Sequence, residues 1–273
     1  MKTKIIKSSL VIAILGVALW SCKKDEVAPV DNTSIVEKSF SNQGFDKTQR
    51  ILTQSEIDQY GIDHNNYLGI LLDGIDVNNS NRLNILKQNM IQLDPNLANH
   101  NNEVDLFLDY SQNDSEIEGF NAFVDANSHL FNDANKLKLY VLNSTAVLSN
   151  CTNLANFSSE LNILETSAKS ELMGVDLDTY LVFSSVLKSS VSYWSSDEND
   201  YFDFMAQRPL GERVAIADGL SAAVGFFTLA AMVAGVSAAA TGGAGTIGAI
   251  ALVGGLLGVG FNSAVASTIA IFM

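Results

Sequence analysis

Apolar residues recur at helical spacing through the middle of the chain. The run from Leu68 to Ile75 follows the pattern i, i+3, i+4, i+7, which places its apolar members on one face of an α-helix. The strict alternation typical of half-buried strands is rare. The same helical spacing is found in five further segments: Leu83 to Met90, Ile117 to Phe131, Leu137 to Leu148, Leu161 to Leu172 and Leu177 to Val191. The pattern therefore predicts an all-α fold.

Short runs rich in Asn and Asp separate these segments, at residues 76–79, 94–96 and 197–200. Such residues favour turns because their side chains bond to nearby backbone groups. We expect six or seven helices of ordinary length, joined by polar loops and packed as a helical bundle.

The last part of the chain has a different pattern. Gly219 to Ala240 and Thr246 to Met273 are apolar stretches, and a Gly-rich turn at 241–245 separates them. As helices they would be roughly 33 and 42 Å long, enough to cross a bilayer core of about 30 Å. Residues 214–273 are predicted to form a glycine-rich apolar helical hairpin. Asp218 is expected to cap the start of its first helix.

Three interpretations of this hairpin are open. The first is a hairpin packed in the core of a bundle, since helices that are apolar all round occur there as well as in lipid. The second is a permanent membrane hairpin, although its Gly, Ser and Thr residues make insertion marginal. The third is conditional insertion, because a Gly/Ala-rich hairpin held in a helical bundle resembles the architecture of pore-forming colicins. Residues 219–273 are thus a candidate membrane contact.

Composition narrows the function classes. Of 273 residues, 47 % are hydrophobic, which excludes a disordered chain, and the net charge of -14 argues against nucleic acid as a partner. Residues 22–213 carry 13 Lys/Arg and 29 Asp/Glu, whereas Asp218 is the one charge after Arg213. Two cysteines exclude a disulfide scaffold and a cysteine-based zinc site. An acidic body, residues 43–213, is therefore joined to a neutral tail.

Residues 1–21 have the features of a secretory signal. Three lysines precede a short apolar region, Leu10 to Trp20, that is too short to span a bilayer comfortably. The sequence Leu19-Trp20-Ser21-Cys22 resembles a bacterial lipobox, although Trp20 stands where a small residue is usual. The resemblance implies that Cys22 becomes the lipid-bearing N-terminus, anchored to the membrane by acyl chains such as palmitate.

The residues after Cys22 bear on location. Lys23-Lys24-Asp25-Glu26 resembles the charged tetrad that follows the lipid cysteine in surface-exported lipoproteins of Bacteroidota. The polar stretch that follows indicates a flexible tether, so that residues 22–42 join the anchor to the body. The resemblance implies an outer membrane lipoprotein exposed at the cell surface.

A second resemblance spans more of the chain. Gly61-Ile62-Asp63-His64-Asn65, then Tyr193-Trp194, then Asp218-Gly219 leading into a Gly/Ala-rich tail is similar to a group of Bacteroidota envelope proteins that has no assigned activity. The resemblance implies the class of protein and its location in the cell envelope, and it implies no activity.

The sequence contains few residue patterns that are typical of catalytic or metal-binding sites. The three histidines lack ligand spacing, and no nucleotide or serine-hydrolase motif is present. Asp63-His64 is a candidate acid/base pair, but such a histidine is more often a helix-start residue bonded to backbone. Cys151 is expected to be a buried, inert thiol. We predict no catalytic residues, metal or cofactor, and a non-enzymatic binding or structural module whose protein partner the sequence does not name. The alternative is a membrane-active protein.

Overall fold

A computed structural model describes residues 46–76, 79–93, 95–100, 116–195 and 208–233, together with 260, 263–265 and 268. Every regular element in these ranges is helical, so the all-α prediction is confirmed. Cys22, the tether and the turn predicted at 241–245 lie outside the described residues.

Seven α-helices follow one another along the described ranges. They are α1 Gln54–Leu71, α2 Arg82–Leu93, α3 Glu116–Ala126, α4 Ala134–Asn150, α5 Leu154–Glu171, α6 Gly174–Trp194 and α7 Arg208–Val233. Short 3-10 helices at Pro95–His100 and Ser128–Leu130 follow α2 and α3. Residues 260, 263–265 and 268 are also helical and are called the tail helix below.

Local sequence explains where several helices begin. The side chain of Thr53 accepts a hydrogen bond from the Glu56 amide, and the Glu56 carboxylate accepts one from the Thr53 amide, which together form a capping box for α1. Asp133 caps α4, and Asn153 caps α5. The Thr53 capping box starts α1 well before the apolar run at Leu68.

Helix α6 is the centre of the bundle. Sixteen of its 21 residues are buried, on every side of the helix. It packs against α1, α4, α5 and α7. A helix with neighbours all round buries side chains all round, and α6 buries the consecutive residues Tyr180, Leu181 and Val182, which stand about 100° apart around its axis.

Helix α7 packs against α6, and residues 214–227 are buried. The ring of Phe227 stacks on Phe131 with centroids 4.2 Å apart, and it meets Phe123 edge to face at 5.7 Å. Residues 214–227 of the predicted hairpin therefore lie in the core. Within the described ranges, no helix combines the length and apolar character needed to cross a membrane.

The segment before α1 is fastened to the start of α6. The Asp178 carboxylate accepts hydrogen bonds from Arg50 Nε and from the amides of Ile51 and Leu52. The amide of Val175 donates to Lys47 O at 3.1 Å. This approach needs Gly174, which has φ +54°, because a Cβ there would overlap the Lys47 carbonyl.

Candidate functional site: a buried polar cluster

Four polar side chains from four helical segments meet in the core. His64 of α1 lies with Nδ1 2.9 Å from Ser263 Oγ of the tail helix and with Nε2 3.3 Å from Asp218 Oδ2 of α7. Ser190 of α6 donates to the same oxygen of Asp218 at 2.5 Å. All four residues have no exposed surface. We call this group the His64 cluster.

Small residues allow the helices to approach one another at the cluster. A Cβ on Gly61 would lie 3.0 Å from the Ser185 carbonyl, so the glycine lets α1 pack closely on α6. A Cβ on Gly260 would lie 2.7 Å from Asp63 Cβ, and one on Gly219 would lie 2.8 Å from the Phe183 ring. Each glycine stands within three residues of His64, Ser263 or Asp218, and the close backbone contacts bring these polar groups within reach of one another.

The single hydroxyl hydrogen of Ser263 has two acceptors within reach. Gly260 O and His64 Nδ1 both lie 2.9 Å from Ser263 Oγ. If the hydrogen points to Nδ1, a neutral ring carries its hydrogen on Nε2, facing Asp218. If it points to Gly260 O, the ring can donate from Nδ1 to the oxygen of Ser263. The same atoms thus stay in contact in either arrangement of hydrogens.

The order serine, histidine, carboxylate is that of a nucleophilic relay. A relay also needs a substrate beside the hydroxyl. Ser263, His64 and Asp218 instead have no exposed surface, and the Ser263 hydroxyl is within hydrogen-bonding distance of a backbone carbonyl of its own helix. This geometry suits a cross-link between helices, since buried polar groups are stable when they bond to each other.

The structure corrects two expectations about these residues. Asp218 does not cap a helix start, because α7 begins at Arg208 and Asp218 lies in its interior. His64 is not a helix-start residue bonded to backbone, because the Thr53 capping box begins α1 earlier and the ring contacts two side chains. Asp63, the neighbour of His64, accepts instead from Gln59 Nε2 at 2.8 Å.

The Gly61 to Asn65 element and the Asp218-Gly219 pair meet at this place. Gly61, His64, Asp218 and Gly219 belong to the cluster or its close helix contacts. Asn65 donates from Nδ2 to Ser189 O at 3.2 Å and adds a further link from α1 to α6. The motif residues described here thus hold α1, α6 and α7 together, whereas Tyr193 and Trp194 lie at the end of α6.

Two further buried carboxylates lie at the start of α6, and sequence reasoning missed both. Asp176 accepts from the amides of Asn132 and Asp133, and Asp178 binds the segment before α1. Burial raises the pKa of Asp176 and of Asp178, although hydrogen bonds from the backbone act in the opposite direction. Their signal in the sequence is two acids that alternate with the apolar residues Val175 and Leu177, which indicates carboxylates with specific partners.

The other candidate residues lie apart from the His64 cluster. Cys151 follows α4 and is half-buried rather than buried, beside a groove of about 520 Å³ between α4 and α5. His129 is exposed. Among the described residues, no three His, Cys, Asp or Glu side chains are grouped so that they could hold a metal ion.

Comparison with known proteins gives no relative. No protein-family model, curated protein or solved structure matches the chain. The residues of the chain itself therefore carry the functional proposals that follow.

Proposed function

We propose that the mature protein is a lipid-anchored, non-enzymatic binding or structural module of the bacterial outer membrane, exposed at the cell surface. The anchor is Cys22, and residues 22–42 tether it to the acidic helical body. The observation that carries the non-enzymatic assignment is the burial of the His64 cluster. Its histidine, carboxylate and hydroxyl groups contact each other and have no exposed surface, as groups that stabilise a core do.

Charge favours a partner with basic or neutral groups. Residues 22–213 carry 29 acidic and 13 basic side chains, which gives the body a negative field. Such a field repels phosphate-rich polymers and attracts basic partners. The exposed surface of the helices is accordingly where we place the binding function.

Metabolic labelling with an alkyne analogue of palmitate tests the anchor. The full chain is expected to incorporate label and to fractionate with the outer membrane, and Cys22→Ala should abolish both. Cys151→Ala is the matched control, because it removes the other cysteine and should leave labelling unchanged. Labelling that survives Cys22→Ala would overturn the anchor assignment.

A fluorophosphonate probe tests the non-enzymatic assignment, because such probes phosphonylate activated serines as fluoride leaves the phosphorus atom. We expect no labelling that depends on Ser263 or His64. Labelling of the native protein that Ser263→Ala removes and His64→Gln weakens would identify a serine nucleophile and contradict the proposal.

A second candidate function is membrane activity. It is favoured by the 55-residue segment Gly219 to Met273, which carries no charged side chain. Dye release from liposomes by the mature chain, absent for a chain that ends at Arg213, would support it. Release by neither chain would count against it.

A further inference from the structure

We propose that residues 46–52, called the N-terminal clasp below, form a mechanical junction that passes tension from the lipid anchor into the buried helix α6 and keeps it from α1. The proposal rests on the proposed anchor at Cys22, because in the sequence the clasp lies between the tether and α1. An anchor at one end of the chain and a partner bound to the body pull in opposite directions. Their pull meets at this junction.

The C-terminal end of the clasp is bound to a buried carboxylate of α6. Asp178 Oδ2 accepts hydrogen bonds from the amides of Ile51 and Leu52, at 2.5 and 3.1 Å. Asp178 Oδ1 accepts one from Arg50 Nε at 2.7 Å. Asp178 has no exposed surface, and hydrogen bonds that involve a charged group are roughly twice as strong as neutral ones. Three consecutive residues of the clasp are thus fixed to one side chain of α6.

The N-terminal end of the clasp is held at Lys47. The Lys47 carbonyl accepts from the Val175 amide at 3.1 Å and from Asn132 Nδ2 at 2.6 Å. The Lys47 ammonium group donates to the carbonyls of Phe131 and His129, at 2.7 and 3.3 Å. Lys47 therefore binds both the first turn of α6 and the segment before α4. A pull on the chain has to break contacts of its backbone and its side chain before it reaches α1.

The helix that receives the pull decides what the pull does to the fold. Helix α6 packs against α1, α4, α5 and α7, so tension that enters α6 is shared by the whole bundle. Helix α1 instead begins at Gln54, directly after its cap Thr53, and helix ends fray. Without the clasp a pull would unwind α1 from its first turn, and His64 lies about three turns further on. The clasp thus shields the His64 cluster from tension on the anchor.

Single-molecule force spectroscopy tests the clasp. The mature chain without lipid is pulled in optical tweezers through DNA handles, one on Cys22 and one on a thiol introduced by Ile163→Cys. Ile163 lies in α5 with 59 % of its surface exposed, so a handle there leaves the core intact. Cys151→Ala removes the remaining thiol. The pull then enters the body from the same end of the chain as a pull on the lipid.

Lys47→Met combined with Arg50→Met removes both cations of the clasp. Lys136→Met combined with Lys138→Met is the matched control, because it removes two cations that form ion pairs outside the clasp. The native protein and the control should hold until the bundle unfolds. The clasp variant should release residues 46–53 first, at lower force, in a step of about 2–3 nm. Such a step in the native protein, or equal traces for the two double variants, would overturn the clasp.

Amide hydrogen exchange tests the same contacts without force. The amides of Ile51, Leu52 and Val175 donate hydrogen bonds at the clasp, and each should be protected in the native protein. They should exchange about tenfold faster in the clasp variant than in the control variant. Unprotected amides at Ile51 and Leu52 in the native protein would overturn the clasp. Neither measurement involves lipid, so failure of the clasp is distinct from failure of Cys22 to take up palmitate.

Discussion

His64 Nε2 lies 3.3 Å from Asp218 Oδ2, and neither side chain has exposed surface. Removal of one member of a buried ionic or hydrogen-bonded pair is costly because the other stays in the core. His64→Ala is expected to lower the free energy of unfolding by about 3–5 kcal/mol in urea denaturation. The exposed His129 is the control, and His129→Ala should change the free energy of unfolding by less than about 0.5 kcal/mol. Equal effects at both histidines would contradict the assignment of His64 to a buried pair with Asp218.

Two glycines should respond in opposite ways to alanine. Gly174 has φ +54° and faces the Lys47 carbonyl, so Gly174→Ala should destabilise the protein by about 2–4 kcal/mol. Gly69 is exposed within α1, and no atom lies within 4 Å of a Cβ there. Gly69→Ala should therefore stabilise the protein by about 0.5–1 kcal/mol through helix propensity. Thermal unfolding of both variants measures the contrast, and a stabilising Gly174→Ala would show that the N-terminal segment packs elsewhere.

The Asp178 carboxyl should make stability depend on pH. Burial raises its pKa above the ordinary value, despite hydrogen bonds from Ile51 and Arg50. The folded state therefore binds this proton more tightly than the unfolded state, and the contribution is lost as pH rises through the folded pKa. Unfolding free energies of the native protein, minus those of Asp178→Asn, should fall as pH rises from the ordinary carboxyl range toward neutrality. A difference that grows with pH would mean that the hydrogen bonds to Asp178, which lower its pKa, outweigh burial, which raises it.

Phe227 is the aromatic anchor of α7. Its ring stacks on Phe131 and meets Phe123 edge to face, and it is fully buried. Phe227→Ala should cost about 3–5 kcal/mol because it leaves a cavity in the core. Differential scanning calorimetry measures both losses of unfolding free energy. Ile163→Ala, at a side chain that is 59 % exposed, should cost less than about 0.5 kcal/mol. A small loss at Phe227 would argue that α7 does not pack on the body.

Periodicity alone predicted the fold class and most of the helices. The apolar faces of α4, α5 and α6 contain Leu137, Leu161 and Leu177, which are buried as expected. The beginning of α1 was missed because its signal is a capping box, Thr53 with Glu56, rather than an apolar face. Apolar periodicity by itself predicts a later start for α1, which would place His64 near a helix start instead of in the helix interior.

The His64 cluster was not predictable from the sequence. Its members lie far apart in the chain, since His64 and Ser263 are 199 positions apart, and helical period does not reveal which helices cross. Asp218 had a local explanation as a helix cap, and that explanation failed because α7 begins at Arg208. Packing around α6 decides which polar groups meet, since Ser190 and the close contacts at Gly61 and Gly219 all involve that helix.

The attachment of the tail helix to the body through His64 is the central claim, and a double-mutant cycle of His64→Ala and Ser263→Ala tests it most directly. Urea unfolding of the mature chain should give a coupling energy of about 1 kcal/mol or more. The same cycle with Ser144→Ala, whose hydroxyl contacts Tyr140 and Tyr180, should give less than about 0.5 kcal/mol. A coupling for Ser263 as small as that for Ser144 would show that the two residues do not interact, and the tail would not be fastened through His64.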